Sequence, residues 1–390
     1  MENERIKFKN SVDRYVSTKR ENNNNLGLKD KIKIRYNILD NIKGILIFLV
    51  VFAHFLFEYA YKYPKSLSFK IVNYIYGFHM PLFIFSSGFL SKSNNSRNFK
   101  NITKLFLIYI IFNFSQLLIL YKYKHSKINF VIPSYSYWYL LCLIYWRITI
   151  EYFSVQYFSI LISLIISIMI GFSLEIDRTL SLKRTFSFYP FFLMGFKLSK
   201  TSLNKILEIR NKIYPVSLFL FFIFIYFSFK IIPFITIKYS LMLDNYSFKN
   251  YKEEIIKRII IFIFSFLMIL FNILLIPNKM ILLLTKSGKN SLCIYLFHRI
   301  FTIIVTFEVF NKIKDNNYII LYSILFTIII LLIFGSNFFS KIINEFIDSI
   351  FENLYNRSTK GKIIGLFFSI IFIFLLFLQF KTFISQEKQK

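Results

Sequence analysis

Cysteine is nearly missing from this chain. Its two residues, Cys142 and Cys293, both lie inside apolar runs. That count and placement exclude a disulfide framework and a Cys-based zinc site, and both read as ordinary buried thiols. Glycine is sparse too, with ten residues that form neither a Gly-rich phosphate loop nor a Gly-x-Ser-x-Gly elbow. Carboxylates are outnumbered, 20 against 49 Lys and Arg, which leaves a net charge of +29. In a soluble chain such an excess would point to nucleic acid. Here the cations sit mainly between apolar runs, where they meet anionic lipid headgroups, so membrane lipids are expected as partners and nucleic acid is not. The dyad alternation of a membrane β-barrel is absent, and no internal repeat is visible.

What is abundant is apolar sequence. Hydrophobic residues make up 56% of the chain and aromatics 21%. Runs such as 39–60, 318–339 and 363–380 match the roughly 30 Å hydrocarbon core and read as transmembrane segments. Lipid offers no hydrogen bonds to the backbone, so these runs must be α-helical. The expected fold class is all-α, a polytopic transmembrane helical bundle with about 10–11 spans. The segments fall at 37–60, 71–91, 104–121, 135–150, 154–173, 185–199, 213–236, 255–276, 290–309, 318–340 and 363–381. Three regions are expected: a polar tail over 1–34, a membrane domain over 35–340, and an amphipathic stretch plus a final transmembrane helix and tail over 341–390. The hydrophilic start predicts an uncleaved signal anchor in the first apolar run rather than a cleaved leader. Ten Lys and Arg precede that run and three follow it, which puts the N-terminus in the cytoplasm by the positive-inside rule.

Ionisable residues inside apolar runs are costly and therefore functional candidates. Three of the four histidines, His54, His79 and His298, are in such runs, and His125 sits in a polar loop with no assigned role. Asp40 and His54 are fourteen residues apart on the first helix, sharing a face about 21 Å apart along the axis. His79 lies thirteen residues from Lys92 on the returning segment, about 20 Å up from the same side. His54 and His79 are thus expected at one depth, either around a shared polar cavity or hydrogen-bonded between helices for packing. Pro81 and Gly88 would loosen the second segment and leave backbone groups facing that cavity. Asp40 and Lys43 can pair at i,i+3. With Arg35 they are either a binding mouth or an interfacial charge cluster. Ser86, Ser87 and Gly88 are a polar patch or a small-residue packing face. Lys92, Arg97, Lys100 and Lys104 are either a phosphate clamp or positive-inside charge.

Five motifs recur in order. They are Arg35…Asp40-x-x-Lys43-Gly44…His54, then Phe78-His79-Met80-Pro81-Leu82-Phe83…Ser87-Gly88-Phe89, then Trp138-Tyr-Leu-Leu…Trp146-Arg147. Phe188-Tyr-Pro190-Phe-Phe-Leu-Met-Gly195 and Ser287-Gly-Lys-Asn290-Ser291-Leu-Cys-Ile-Tyr295-Leu-Phe-His298 follow. Together they resemble the acyltransferase 3 family of integral membrane O-acyltransferases, in particular its fucose 4-O-acetylase-like branch, over about residues 35 to 340. Two departures stand out. Asn101 and Lys104 occupy the place where many members carry Arg-x-x-Arg, and the fused extracytoplasmic esterase-like domain of many relatives is absent, so transfer is expected to be completed by the membrane domain.

The resemblance implies transfer of an acyl group, most often acetyl, from acetyl-CoA or another acyl-CoA acting as co-substrate, with no bound cofactor and no metal. The acceptor it implies is a hydroxyl of an envelope glycan or lipid-linked saccharide, and the location a multi-pass plasma-membrane protein. Histidine suits general-base work on a sugar hydroxyl. His54 is expected as that base, with a covalent acyl-histidine as the other route. His79 would orient the substrate or stabilise the oxyanion, and Asp40 would shape the mouth as part of the catalytic set. Arg35, Lys43, Lys104, Arg147, Ser87 and His298 are expected to bind substrate or acyl donor. Trp138 would stack on a sugar or on adenine, or serve as an interfacial anchor. A transporter or flippase for a polar lipid-linked glycan is the competing class, though the internal repeats of many transporters are not seen.

Overall fold

The computed structural model describes residues 36–124, 129–173, 175–176, 178–231, 240–243, 245–247, 249–313 and 315–355. Among these the only regular structure is helix, as backbone satisfaction in lipid requires; the protein is an all-α bundle. Its main helices are α1 (Asn37–Lys62), α2 (Leu67–Tyr76), α3 (His79–Leu90), α4 (Phe99–Lys124), α5 (Trp138–Val155), α6 (Ser159–Met169) and α7 (Leu182–Lys197). They continue as α8 (Lys200–Ile231), α9 (Tyr251–Leu275), α10 (Leu282–Lys289), α11 (Ser291–Glu308), α12 (Asn316–Phe334) and α13 (Asn337–Tyr355). Six helices among the described residues are long and apolar enough to cross a membrane: α1, α4, α8, α9, α11 and α12. The segments expected at 135–150, 154–173 and 185–199 are shorter helices, and the one expected at 363–381 lies outside the described residues.

Lipid tails are as apolar as leucine, so helices in a bilayer gain little from hydrophobic burial and must pack closely instead. Glycine supplies that closeness twice. A Cβ on Gly44 of α1 would strike the Leu284 carbonyl of α10, and one on Gly288 of α10 would strike the Asp40 carbonyl of α1. The same reciprocity joins α3 to α7, where Gly88 faces the Phe192 carbonyl and Gly195 faces the Phe85 carbonyl. Around these crossings α1 also packs on α2, α11 and α12, and α7 packs on α5 and α6. Asn41 reinforces the first crossing. Its amide donates to the Pro277 and Lys279 carbonyls, at 2.9 Å each, and accepts from Thr285 Oγ1 at 2.5 Å.

The segment 71–91 is not one helix, as the apolar run suggested. It breaks at Gly77 and Phe78 into α2 and α3. Pro81 explains the break. A continuous helix would need the residue-81 N–H to reach the Gly77 carbonyl, and proline has none. In the first turn of a new helix that missing donor costs nothing. The freed Gly77 carbonyl is taken by Ser265 of α9, whose hydroxyl donates to it at 2.8 Å. The backbone group released by Pro81 is thus satisfied by a neighbouring helix rather than left to face a cavity.

The amphipathic stretch expected over 341–355 belongs to α13, which begins at Asn337. It buries Ile347 and Phe351 and turns Asp348 and Glu352 onto Lys104 and Lys100 of α4. If the glycine crossings set the bundle, Gly195→Ala should cost about 1–3 kcal/mol, because the obstructing atom is backbone. The readout is a lowered Tm in detergent. An unchanged Tm would mean that α3 and α7 can part freely.

Candidate active site

The C-terminal parts of α1, α2 and α4, the N-termini of α5 and α7, and the middle of α11 meet around a cavity of about 560 Å³. Residues of 129–136, with Arg178, Ser181, Ser240, Leu241 and Leu243, also line it. The cavity's rim is strained. Among the described residues, positive φ at non-glycine positions occurs at Tyr135 (33°), Leu180 (47°), Ser181 (57°) and Met242 (55°). Tyr135 and Ser181 line the cavity, and Met242 lies between the lining residues Leu241 and Leu243. Left-handed backbone costs roughly 1–2 kcal/mol per residue, and such strain collects where structure over-determines it. Here the Leu180 N–H donates to the Val131 carbonyl at 2.9 Å, tying two loops. Asn113 Oδ1 accepts from the Ser134 N–H and hydroxyl at 2.9 and 2.8 Å. Tyr137 and Tyr295 form a reciprocal tether: the Tyr137 hydroxyl donates to the Leu296 carbonyl at 2.5 Å, and the Tyr295 hydroxyl donates to the Ser136 carbonyl.

The three intramembrane histidines come together here. His54 and His79 line the cavity, and His298 lies behind His54 with its ring stacked at 5.4 Å. Tyr76 links the set. Its hydroxyl is 3.2 Å from His54 Nδ1, and its ring meets His79 edge-on at 4.9 Å. Two tautomers follow from the backbone, because a carbonyl only accepts. His79 Nδ1–H donates to the Ile75 carbonyl at 2.8 Å, and His298 Nδ1–H donates to the Tyr295 carbonyl at 2.7 Å. In both neutral rings Nε2 is then an acceptor. His298 Nε2 is buried without a hydrogen-bond partner. Only His54 has a hydroxyl, which can donate or accept, on its Nδ1, so its tautomer can change.

Cations and aromatic faces complete the wall. Trp138 stacks on Phe188 at 5.4 Å, and the Arg184 guanidinium lies over Trp138 at 4.6 Å. Arg299, one residue after His298, lies over Tyr135 at 4.5 Å. Arg178 also lines the space. Tyr76, Arg178, Arg184, Tyr295 and Arg299 were not among the sequence-derived site residues, although Tyr295 stood in a quoted motif. Arg299 carried a usable signal, being a charge within an apolar run; Tyr76 is one of 26 tyrosines and carried none.

The remaining candidates lie toward the opposite end. Asp40 and Lys43 pair at 3.1 Å at the start of α1, fourteen residues from His54. Arg147 Nε donates to Ser91 Oγ at 3.4 Å, near Arg97, which pairs with Glu151 at 2.9 Å. Lys104 is engaged by Asp348. Lys92 donates to the Leu198 carbonyl, and burial, with Lys200 nearby, brings its ammonium down to about 8. Ser87 is buried between α3 and α5, bonded to the Tyr139 hydroxyl at 2.6 Å, and is not part of the cavity wall. Arg35 and His125 lie outside the described residues. No group of three or more His, Cys, Asp or Glu side chains able to hold a metal occurs among the described residues.

A family model described as an acyltransferase domain, Acyl_transf_3, matches residues 36–338. The chain belongs to the acyltransferase 3 family. No curated protein and no solved structure matches it. It is a membrane acyltransferase by family, and among the described residues the cavity brings histidine, arginine and aromatic side chains to one space. The motif residues of the family resemblance divide physically into two sets. His54, His79, Trp138 and Tyr295 reach the cavity, while Gly44, Gly88, Gly195 and Gly288 form the two close crossings.

Tyr76→Phe removes the hydroxyl bonded to His54 Nδ1. Losing one such hydrogen bond is worth about 1–3 kcal/mol, so acyl transfer should slow by about tenfold or more with little change in Tm. An unchanged rate would show that the Tyr76 contact is not used.

Proposed function

We propose that this acyltransferase moves an acetyl group from acetyl-CoA to a hydroxyl of an envelope glycan or lipid-linked sugar, with His54 as general base. The observation that carries the reading is the position of His54: half-buried, in the cavity wall, with Tyr76 on one ring nitrogen. When His54 Nδ1–H donates to the Tyr76 oxygen, Nε2 is free to take the acceptor's proton. The acceptor oxygen then attacks the thioester carbonyl, the C–S bond breaks, and the proton on His54 passes to the departing CoA sulfur. His298, stacked behind His54, backs the ring. His79 offers an acceptor at Nε2, which suits orienting a substrate hydroxyl better than stabilising an oxyanion. Trp138 is buried against Phe188 and Arg184, so it braces the Arg184 guanidinium in the wall rather than offering an open face to a sugar.

The two ends of the bundle supply the two substrates. With the N-terminus cytoplasmic, as the charge bias favours, the Lys43, Arg147 and Lys92 end faces the cytoplasm, where acetyl-CoA is found. The cavity then opens toward the outer face, where an envelope glycan is met. Asp40 and Lys43 shape the cytoplasmic mouth, and Lys104 would have to exchange Asp348 for a donor phosphate. The resemblance to the fucose 4-O-acetylase-like branch supports a sugar acceptor, and the plasma membrane is the location that fits it.

The test is transfer of radiolabel from acetyl-CoA in membranes carrying the protein, with host glycans as acceptors and a His54→Ala variant alongside. Base-labile label should appear on glycan and fall by about 10²-fold or more in the variant, the size of a general-base contribution. Near wild-type turnover in a folded His54→Ala variant would remove His54 from the chemistry.

A further inference from the structure

The cavity carries a charge pattern that general-base chemistry does not require. Arg178, Arg184 and Arg299 line it, and among the described lining residues there is no Asp or Glu. Among the described residues no carboxylate forms an ion pair with any of the three. Arg299 is 2% exposed. Its Nε has no hydrogen-bond partner, and its Nη1 reaches only Thr302 Oγ1, at 3.5 Å. Arg184 gives Nε to the Leu241 carbonyl at 3.3 Å and otherwise rests on Trp138. Glu58, whose field reaches Arg299, is already held by Lys124 at 2.6 Å.

A guanidinium keeps its charge in proteins, and an uncompensated charge inside a membrane protein costs several kcal/mol. Arg299 is buried, Arg184 is half-buried and Arg178 is exposed, so an anion entering the space would stabilise Arg299 and Arg184 most. The planar donor fork fits carboxylate and phosphate oxygens, and Trp138 and Tyr135 fix two of the forks from behind. The donor's phosphates have their own basic residues at the far end. Arg147 is nine residues along α5 from Trp138, about 13 Å away along the axis.

We propose that the acceptor is an anionic saccharide, its phosphate or carboxylate held by Arg184 and Arg299 while a neutral hydroxyl faces His54. This rests on the reading of the cavity as the acceptor site. The test is equilibrium dialysis of the purified protein in nanodiscs against radiolabelled glucose 1-phosphate, glucuronate and glucose. The two anionic sugars should bind at least about tenfold more tightly than glucose. Arg184→Gln and Arg299→Gln should each weaken them by about tenfold or more, and Arg299→Lys, which keeps the charge, by less. Tm is measured on each variant so that only folded protein is compared.

Equal binding of glucose, no binding of either anionic sugar, or unchanged affinity in both Gln variants would overturn the proposal. So would displacement of glucose 1-phosphate by acetyl-CoA with the same arginine dependence, since that would give the cations to the donor. Dialysis needs no acyl transfer. Anionic sugar binding without transfer would remove the acetyl-transfer reading alone; transfer that ignores the arginines would remove this inference alone.

Discussion

Two helix crossings hold the molecule, and each depends on glycine from both partners. Gly44 and Gly288 bring α1 onto α10; Gly88 and Gly195 bring α3 onto α7. In lipid no hydrophobic driving force would close a gap left at these points. The crossings fix the Asp40 end of α1 and the C-terminal half of α3. From those fixed points α1 carries His54, and α3 begins with His79, at the other end. The geometry of the histidine cluster is therefore set from a distance, by backbone contacts that touch neither histidine.

The cavity end is governed by a different balance. Among the described residues its walls hold arginine without a paired carboxylate, and a carbonyl dictates the tautomer of His79 while a hydroxyl faces His54. Positive charge there is supported from behind by aromatic faces, Trp138 under Arg184 and Tyr135 under Arg299. The loops that carry these rings and cations adopt left-handed backbone at Tyr135, Ser181 and Met242, and the Tyr137–Leu296 and Tyr295–Ser136 tethers hold the chain just after the first of them. If acyl transfer occurs in this cavity as proposed, such ties bear on it, because the gain from orientation is lost when reacting groups shift by about an ångström.

Much of this was legible in the chain. Apolar run length gave the all-α bundle, since lipid leaves the backbone no alternative. Counting residues along two runs placed His54 and His79 at one depth, and both line the cavity. The failures have physical reasons. Hydropathy could not show the break at Gly77, because α2 and α3 are both apolar; the signal was Pro81, whose missing donor ends one helix and suits the start of the next. Ser87 read as a site residue, yet its hydroxyl is spent on Tyr139, a partner from another helix that spacing cannot reveal. Arg299, a guanidinium within an apolar run, is legible as a costly group, whereas Arg184, flanked by Lys183 and Thr185, carries no such signal.

The central claim is that the acyl group is transferred beside His54. The most direct measurement is a cryo-EM structure of the protein with a non-hydrolysable acetyl-CoA analogue. The account predicts the analogue's nucleotide at the Lys43 and Arg147 end and its acyl carbonyl in the cavity, within reach of His54 Nε2 directly or through one water. An acyl carbonyl seated outside the cavity, beside a different titratable side chain, would contradict it.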